Sequence, residues 1–128
     1  EAILLDQSGN VSEAPGENIF LIKNSQLITP TISSSALDGI TRKSIITLAQ
    51  DMGLKVKVRR VDKKELKLAD EIFLSGTAAE ITPIIKIDKK KIGNGKVGKI
   101  TKSLMTTYAN IVMNKNENYS NWLTSVLK

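Results

Sequence analysis

Two apolar runs of strand length with only two residues between them constrain this chain most. Residues 18–23 and 26–29 flank Asn24-Ser25, a pair suited to a tight hairpin turn, so the segment predicts two antiparallel strands. The next segment rules out an all-β chain. Over residues 41–52 the apolar positions Ile45, Ile46, Leu48, Ala49 and Met52 recur at helical spacing, and Gly53 is a natural stop. Residues 55–61 then alternate valine with charge, as a half-exposed strand does. Asp62 is placed to cap a short helix through Leu68, with Glu65 at the capping-box position. Residues 71–74 and 81–87 read as strands, Gly93, Gly95 and Gly98 punctuate a loop, and residues 100–113 read as a helix. That helix carries Ile100, Leu104, Thr107, Tyr108, Ile111 and Val112 on one face. At the front, residues 2–5 read as a buried strand ended by a turn over 6–10. At the back, a polar stretch over 114–121 leads to a last short helix carrying Trp122, Leu123 and Val126. Strands and helices alternate, so the fold class is α/β or α+β. Residues 1–128 fit one domain on size alone.

Composition enters through what it excludes. The chain has no cysteine and no histidine, which removes disulfides, thiolate metal sites, structural zinc and any histidine-based triad, and leaves no metal centre to expect. A cysteine-free chain fits a reducing cytoplasm. No apolar run approaches the roughly 18 residues of a membrane span. Net charge is +6, with basic residues gathered at Lys55, Lys57, Arg59 and Arg60, at Lys63-Lys64 and at Lys89 to Lys91. Such clusters serve either as a nucleic-acid surface or as solvated strand edges. Aromatic residues are only 4% and do not interleave with the basic runs, which favours the solvated edge and no nucleic acid. Glu1 opens the chain inside the apolar run Ala2-Ile3-Leu4-Leu5, which suggests a piece of something larger.

Three segments carry chemistry. Ser12-Glu13-Ala14-Pro15-Gly16-Glu17-Asn18-Ile19-Phe20 places carboxylates in a glycine turn just before a strand. Leu37-Asp38-Gly39-Ile40-Thr41 immediately precedes the clearest helix, whose start has unpaired N–H groups and a positive dipole end, a ready phosphate site. Gly39 lets backbone approach closely there, and Thr41 offers both an N–H and a hydroxyl. Ser75-Gly76-Thr77-Ala78-Ala79-Glu80 follows a strand and is small wherever it could touch a ligand, exposing backbone amides that bind a phosphate or a carboxylate. Each segment alone has an ordinary reading: a surface loop, a capped helix with Leu37 as core, a strand-to-strand turn. Glu17 and Asn18 are equally a turn and strand-start pair. Tyr108 and Trp122 read as packing anchors.

Taken together and in this order, the three segments resemble the cofactor cradle of the class IV aminotransferases, and within them the branched-chain amino acid aminotransferases. The continuation Glu80-Ile81-Thr82-Pro83-Ile84 shares the likeness, and Lys91 to Thr101 resembles the glycine-rich loop before the family's last long helix. The resemblance implies the larger, C-terminal domain of that fold, a mixed sheet or half-barrel flanked by helices, incomplete at its N-terminus. It implies pyridoxal 5'-phosphate as cofactor. Glu13 would hold the pyridine nitrogen, Leu37 would pack on the ring, and Gly39, Ile40, Thr41 and Thr77 would hold the phosphate. Asn18 would sit at the pocket wall, and Ala78 and Ala79 would bind the substrate carboxylate. No catalytic residue falls within this chain, because the family's cofactor-binding lysine lies upstream of the segment that begins at Glu1. The implied reaction is amino-group transfer between leucine, isoleucine or valine and 2-oxoglutarate, in a homo-oligomeric whole protein, with these residues inactive alone. D-amino acid aminotransferase, aminodeoxychorismate lyase, a basic nucleic-acid-binding module and a non-catalytic remnant are the rival readings. This sequence departs from the family at Pro15, at Asp38 and Lys99 where proline is usual, and the Asp38 carboxylate would disfavour a phosphate unless its side chain points away.

Overall fold

A computed structural model of the protein describes residues 1–126, so the single domain expected over 1–128 is seen except for its last two positions. Five strands form one mixed sheet in the order β3-β2-β1-β4-β5. The hairpin β1 (Asn18–Lys23) and β2 (Gln26–Pro30) turns at Asn24 and Ser25, whose φ values of 50° and 59° are the left-handed pair that a two-residue turn requires. Helix α1 (Ile40–Asp51) follows β2 and returns the chain to β3 (Lys55–Arg59), which therefore pairs with β2 in parallel. After the single helical turn α2 (Glu65–Leu68), β4 (Glu71–Gly76) runs antiparallel to β1 and β5 (Glu80–Ile84) antiparallel to β4.

Both faces of the sheet are covered, which explains why β1 is apolar at successive positions rather than alternate ones. Phe20, Ile22, Leu27 and Phe73 point to one face and pack under Ile45, Leu48 and Ala49 of α1 and Leu104 and Ile111 of α3 (Lys99–Val112). Phe20 and Phe73 are paired across the ladder, with ring centroids 4.9 Å apart and planes 11° apart. Ile19, Leu21, Ile28, Ile72 and Leu74 point to the other face, against Val11, Ala14, Val61, Leu66, Ala69 and Ile92. Burying one such side chain stabilises the fold by roughly 1.5–3 kcal/mol, so the two clusters hold the central strands rigid.

Several expectations need correction. Residues 2–5 are not a buried strand: Leu4 exchanges backbone hydrogen bonds with Ser12 and Glu13, but Leu4 and Leu5 stay 44% and 42% exposed, because none of the described residues covers their outer side. The strand expected over 81–87 breaks at Ile85. Asp88 and Lys89, with φ of 47° and 66°, turn β6 (Lys86–Ile87) back onto β7 (Lys90–Lys91) as a separate hairpin. The last short helix is a 3-10 turn over Glu117–Trp122, opened by the Asn116 side chain accepting from the Asn118 N–H. Past it, Val126 is 91% exposed and has no face to bury. On α3 the buried stripe includes Thr101, while Val112 is exposed. Glu71, at the start of β4, accepts from the Ile100 and Thr101 amides and so caps α3 from the sheet.

Candidate functional site

Topology brings the three sequence segments together. Because β1 is antiparallel to both β2 and β4, the start of β1 lies at the same end of the sheet as the ends of β2 and β4, and Asn18 is paired with Ser75. The loop leaving β2 therefore delivers the N-terminus of α1 to that end. There a cleft of about 120 Å³ is lined by Glu13, Gly16, Glu17, Asn18, Leu37, Gly39, Ile40, Thr41, Ser75, Gly76 and Thr77. Sites for whole small molecules run to roughly 300–1,000 Å³, so this cleft takes a group the size of a phosphate and one edge of a ring. Ala78 and Ala79 lie beyond the cleft wall, on the turn between β4 and β5. A larger groove of about 560 Å³ borders Ala2, Ile3, Leu66, Leu74 and Ile84, but none of the three motifs reaches it.

The walls are held by a few specific bonds. Glu13 Oε2 accepts from the Leu37 N–H at 2.9 Å, and Asn18 Nδ2 donates to the Leu37 carbonyl at 2.7 Å. Leu37 is thus pinned by its backbone while its side chain stands 71% exposed over the cleft. Glu13 Oε1 makes no hydrogen bond among the described residues, so half of the carboxylate is available to a ligand. Helix α1 opens at Gly39 without any side-chain cap, and its first intrahelical bond runs from Lys43 N–H to the Gly39 carbonyl. The amides of Ile40, Thr41 and Arg42 are thereby left without helical acceptors, beside the buried Thr41.

Three observations fit this cleft to a phosphorylated cofactor. Glu17 Oε2 and Ser75 Oγ are buried and have no hydrogen-bond partner, an arrangement that costs roughly 1–3 kcal/mol for each group until a partner arrives. Glycine is required on both sides: a Cβ on Gly39 would stand 2.6 Å from Asn18 Oδ1, and one on Gly76 would stand 2.8 Å from the Gly16 carbonyl. The free first-turn amides supply the donors that an anion needs. The expected obstacle is absent, since the Asp38 side chain turns away to Arg42 and Lys43 and does not line the cleft.

Sequence reasoning singled out Glu13, Asn18, Leu37, Gly39, Ile40, Thr41 and Thr77, and the fold brings all of them to one cleft. It did not single out Ser75 or Gly76, or the buried Arg42, whose i, i+4 spacing from Asp38 was the available signal. The basic clusters do not converge on the cleft. Arg59 is engaged by Glu65, which raises its pKa chiefly through that hydrogen bond.

A mixed α/β sheet ending in a glycine-walled cleft with free helix-start amides is an arrangement suited to holding an anionic group. The chain belongs to the amino-transferase class IV family, whose sequence model matches residues 1–87. It is 50% identical to a probable branched-chain-amino-acid aminotransferase of Aquifex aeolicus and 43% identical to the branched-chain-amino-acid aminotransferase of Escherichia coli K12, over 98% of this chain in each case. The fold superposes with a TM-score of 0.95 on a branched-chain amino acid aminotransferase of T.th. complexed with N-(5'-phosphopyridoxyl)-L-glutamate, at 41% identity, covering 98% of this chain and 42% of that one. The chain spans about two fifths of these relatives, 41% of each curated one.

Proposed function

We propose that these residues form the C-terminal, cofactor-gripping part of a branched-chain amino acid aminotransferase that uses pyridoxal 5'-phosphate. The observation that carries the reading is the meeting of Glu13, the uncapped start of α1 and Ser75–Thr77 at one cleft whose buried polar atoms lack partners. Similarity to branched-chain aminotransferases, one of them crystallised with a phosphopyridoxyl adduct, supports it.

When bound, the cofactor supplies an electron sink for the substrate's α-carbon. The protein's part follows from the geometry. Glu13, with Oε1 left free by its bond to Leu37, would hold the ring nitrogen and favour the protonated pyridine by opposite charge. Ile40 and Thr41, with Gly39 clearing the approach, would hold the phosphate through α1 amides and the Thr41 hydroxyl, and Thr77 would add a donor from the facing turn. Leu37 covers the ring face. Asn18 keeps Leu37 in place, so it acts on the cofactor through that residue. Ala78 and Ala79, too small to block the approach, offer backbone amides to the substrate's α-carboxylate from the rim. On the family resemblance, the lysine that would bind the cofactor covalently is not among these residues, and the 128 residues alone would not transaminate. The whole protein is a homo-oligomer working on leucine, isoleucine or valine with 2-oxoglutarate.

The full-length protein should show a bound-cofactor absorbance band, bleached by L-leucine and restored by the branched 2-oxo acid. Bleaching by D-alanine but not L-leucine would move it to the D-amino acid aminotransferases. No band at saturating cofactor would end the proposal.

A further inference from the structure

The loop that carries Leu37 into α1 has two anchors. Leu37 is held on the cleft side by Glu13 and Asn18. The next residue is held on the opposite side: Asp38 Oδ1 accepts from Arg42 Nη1 at 3.1 Å, and Oδ2 meets Lys43 Nζ at 3.1 Å. Arg42 is a firm post rather than a loose surface cation. Its side chain is only 7% exposed, and its Nη2 donates to the Pro30 carbonyl at the end of β2 at 3.2 Å. A carboxylate gripped by both cations ties the loop to the first turn of α1 through side chains that do not line the cleft. The trio also reverses the electrostatic penalty expected of Asp38. Two cations and one anion leave a net charge of +1 within the first turn of α1, where an isolated Asp38 would oppose an incoming dianion.

We propose that Asp38 is a positioning residue for the anion cup, acting as a latch. Bridged to Arg42 and Lys43, it sets the Leu37–Gly39 loop so that the α1 amides and the Leu37 side chain stand ready for a phosphorylated ring. This rests on the cleft being the phosphate cofactor site. A simple surface charge beside the cleft predicts the opposite sign: removing it would tighten phosphate binding. With a latch, removing it loosens the cup.

The test uses the full-length protein stripped of cofactor, with D38N and K43Q as variants, because both positions are partly exposed and Arg42 is left intact. Dissociation constants are measured for pyridoxal 5'-phosphate and for inorganic phosphate as its competitor, beside melting temperatures. In D38N both constants should rise about tenfold, the size of one lost charge-assisted hydrogen bond. Turnover at saturating cofactor should fall by a smaller factor than cofactor affinity does, since saturation restores occupancy while Glu13 is unaltered. K43Q should weaken phosphate about threefold, as an exposed ion pair does. Unchanged or tighter binding by D38N, with wild type binding normally, overturns the latch. If D38N also melts far lower, K43Q decides: an unweakened phosphate constant in it overturns the latch. A wild-type protein that takes up no pyridoxal 5'-phosphate overturns the functional reading and the latch together, and that outcome is separate from a wild type that binds while D38N is unaffected.

Discussion

Two regions beside the sheet treat their polar groups in opposite ways. At the outer edge, where β3 leads toward α2, Arg59, Glu65 and Asp62 each close on a neighbour. Arg59 makes two bonds to Glu65, at 3.1 and 2.7 Å, while Glu65 also accepts the Asp62 N–H at 2.8 Å and Asp62 accepts from the Lys64 N–H at 2.7 Å. At the cleft end, Glu17 Oε2 and Ser75 Oγ are buried with no partner, the start of α1 is uncapped, and Leu37 and Ile40 stand 71% and 80% exposed. The outer edge is arranged for the folded chain by itself. The cleft end gives up stability until something supplies partners for those groups.

That contrast breaks most sharply at the glycines. Gly76→Ala should put a Cβ 2.8 Å from the Gly16 carbonyl and 3.4 Å from Glu17 Cγ, and backbone cannot yield as a side-chain tip can. Overpacking of this kind costs about 1–3 kcal/mol. If that strain falls mainly on the cup, cofactor affinity falls about a hundredfold in the full-length protein, read by absorbance titration. Gly39→Ala should act similarly but less severely, by displacing the Asn18 side chain from Leu37. Normal cofactor affinity in both variants would mean that the two turns are plain connections.

Next in size is Glu13. Glu13→Gln keeps a carbonyl oxygen able to accept from Leu37 but loses the charge that the proposed function sets against the ring nitrogen. Turnover of the full-length enzyme should fall by about 10²–10⁴, the usual range for losing a positioned proton-holding group, while the melting temperature barely moves. A large fall in melting temperature with turnover intact would make Glu13 a loop tie and nothing more.

Much of this was legible in the sequence because local signals and tertiary context agreed. The hairpin at Asn24-Ser25, the α1 stop at Gly53 and the reach of Glu65 back to Asp62 are each set by residues within a few positions of one another. The cleft was legible for a different reason: its three motifs are contiguous, and only their meeting needed the fold. What escaped depends on partners far along the chain. Residues 2–5 look like a core strand by composition, but burial depends on a cover that the segment itself cannot specify. The break at Ile85 comes from the Asp88-Lys89 turn folding Lys86–Ile87 onto Lys90–Lys91. Glu71 as the cap of α3 links residues 29 and 30 positions apart, and no periodicity carries that.

The smallest expected effects lie at the well-paired edge, where they sharpen the contrast by leaving the cleft untouched. Glu65→Gln should cost about 0.5–1 kcal/mol at neutral pH, the value of a half-exposed ion pair that also completes a capping box, with cofactor affinity unchanged. Its pH dependence has a definite sign. The Arg59 hydrogen bond, opposed by burial and aided by the Asp62 amide, holds the Glu65 carboxyl below its ordinary value. The folded chain therefore binds that proton less readily than the unfolded one. The stabilisation is complete above the ordinary glutamate range of about 4.3 and is lost as pH falls through the lowered folded value. Melting temperatures of wild type and E65Q should accordingly differ at pH 7 and converge in acid. Asp70 is shifted in the same direction, lowered first by the Asn24 amide and then by Lys23, at a site about half exposed. A gap between wild type and E65Q that stays constant into acid would show that the Arg59–Glu65 pair contributes shape rather than charge, and the edge would then owe its stability to packing alone.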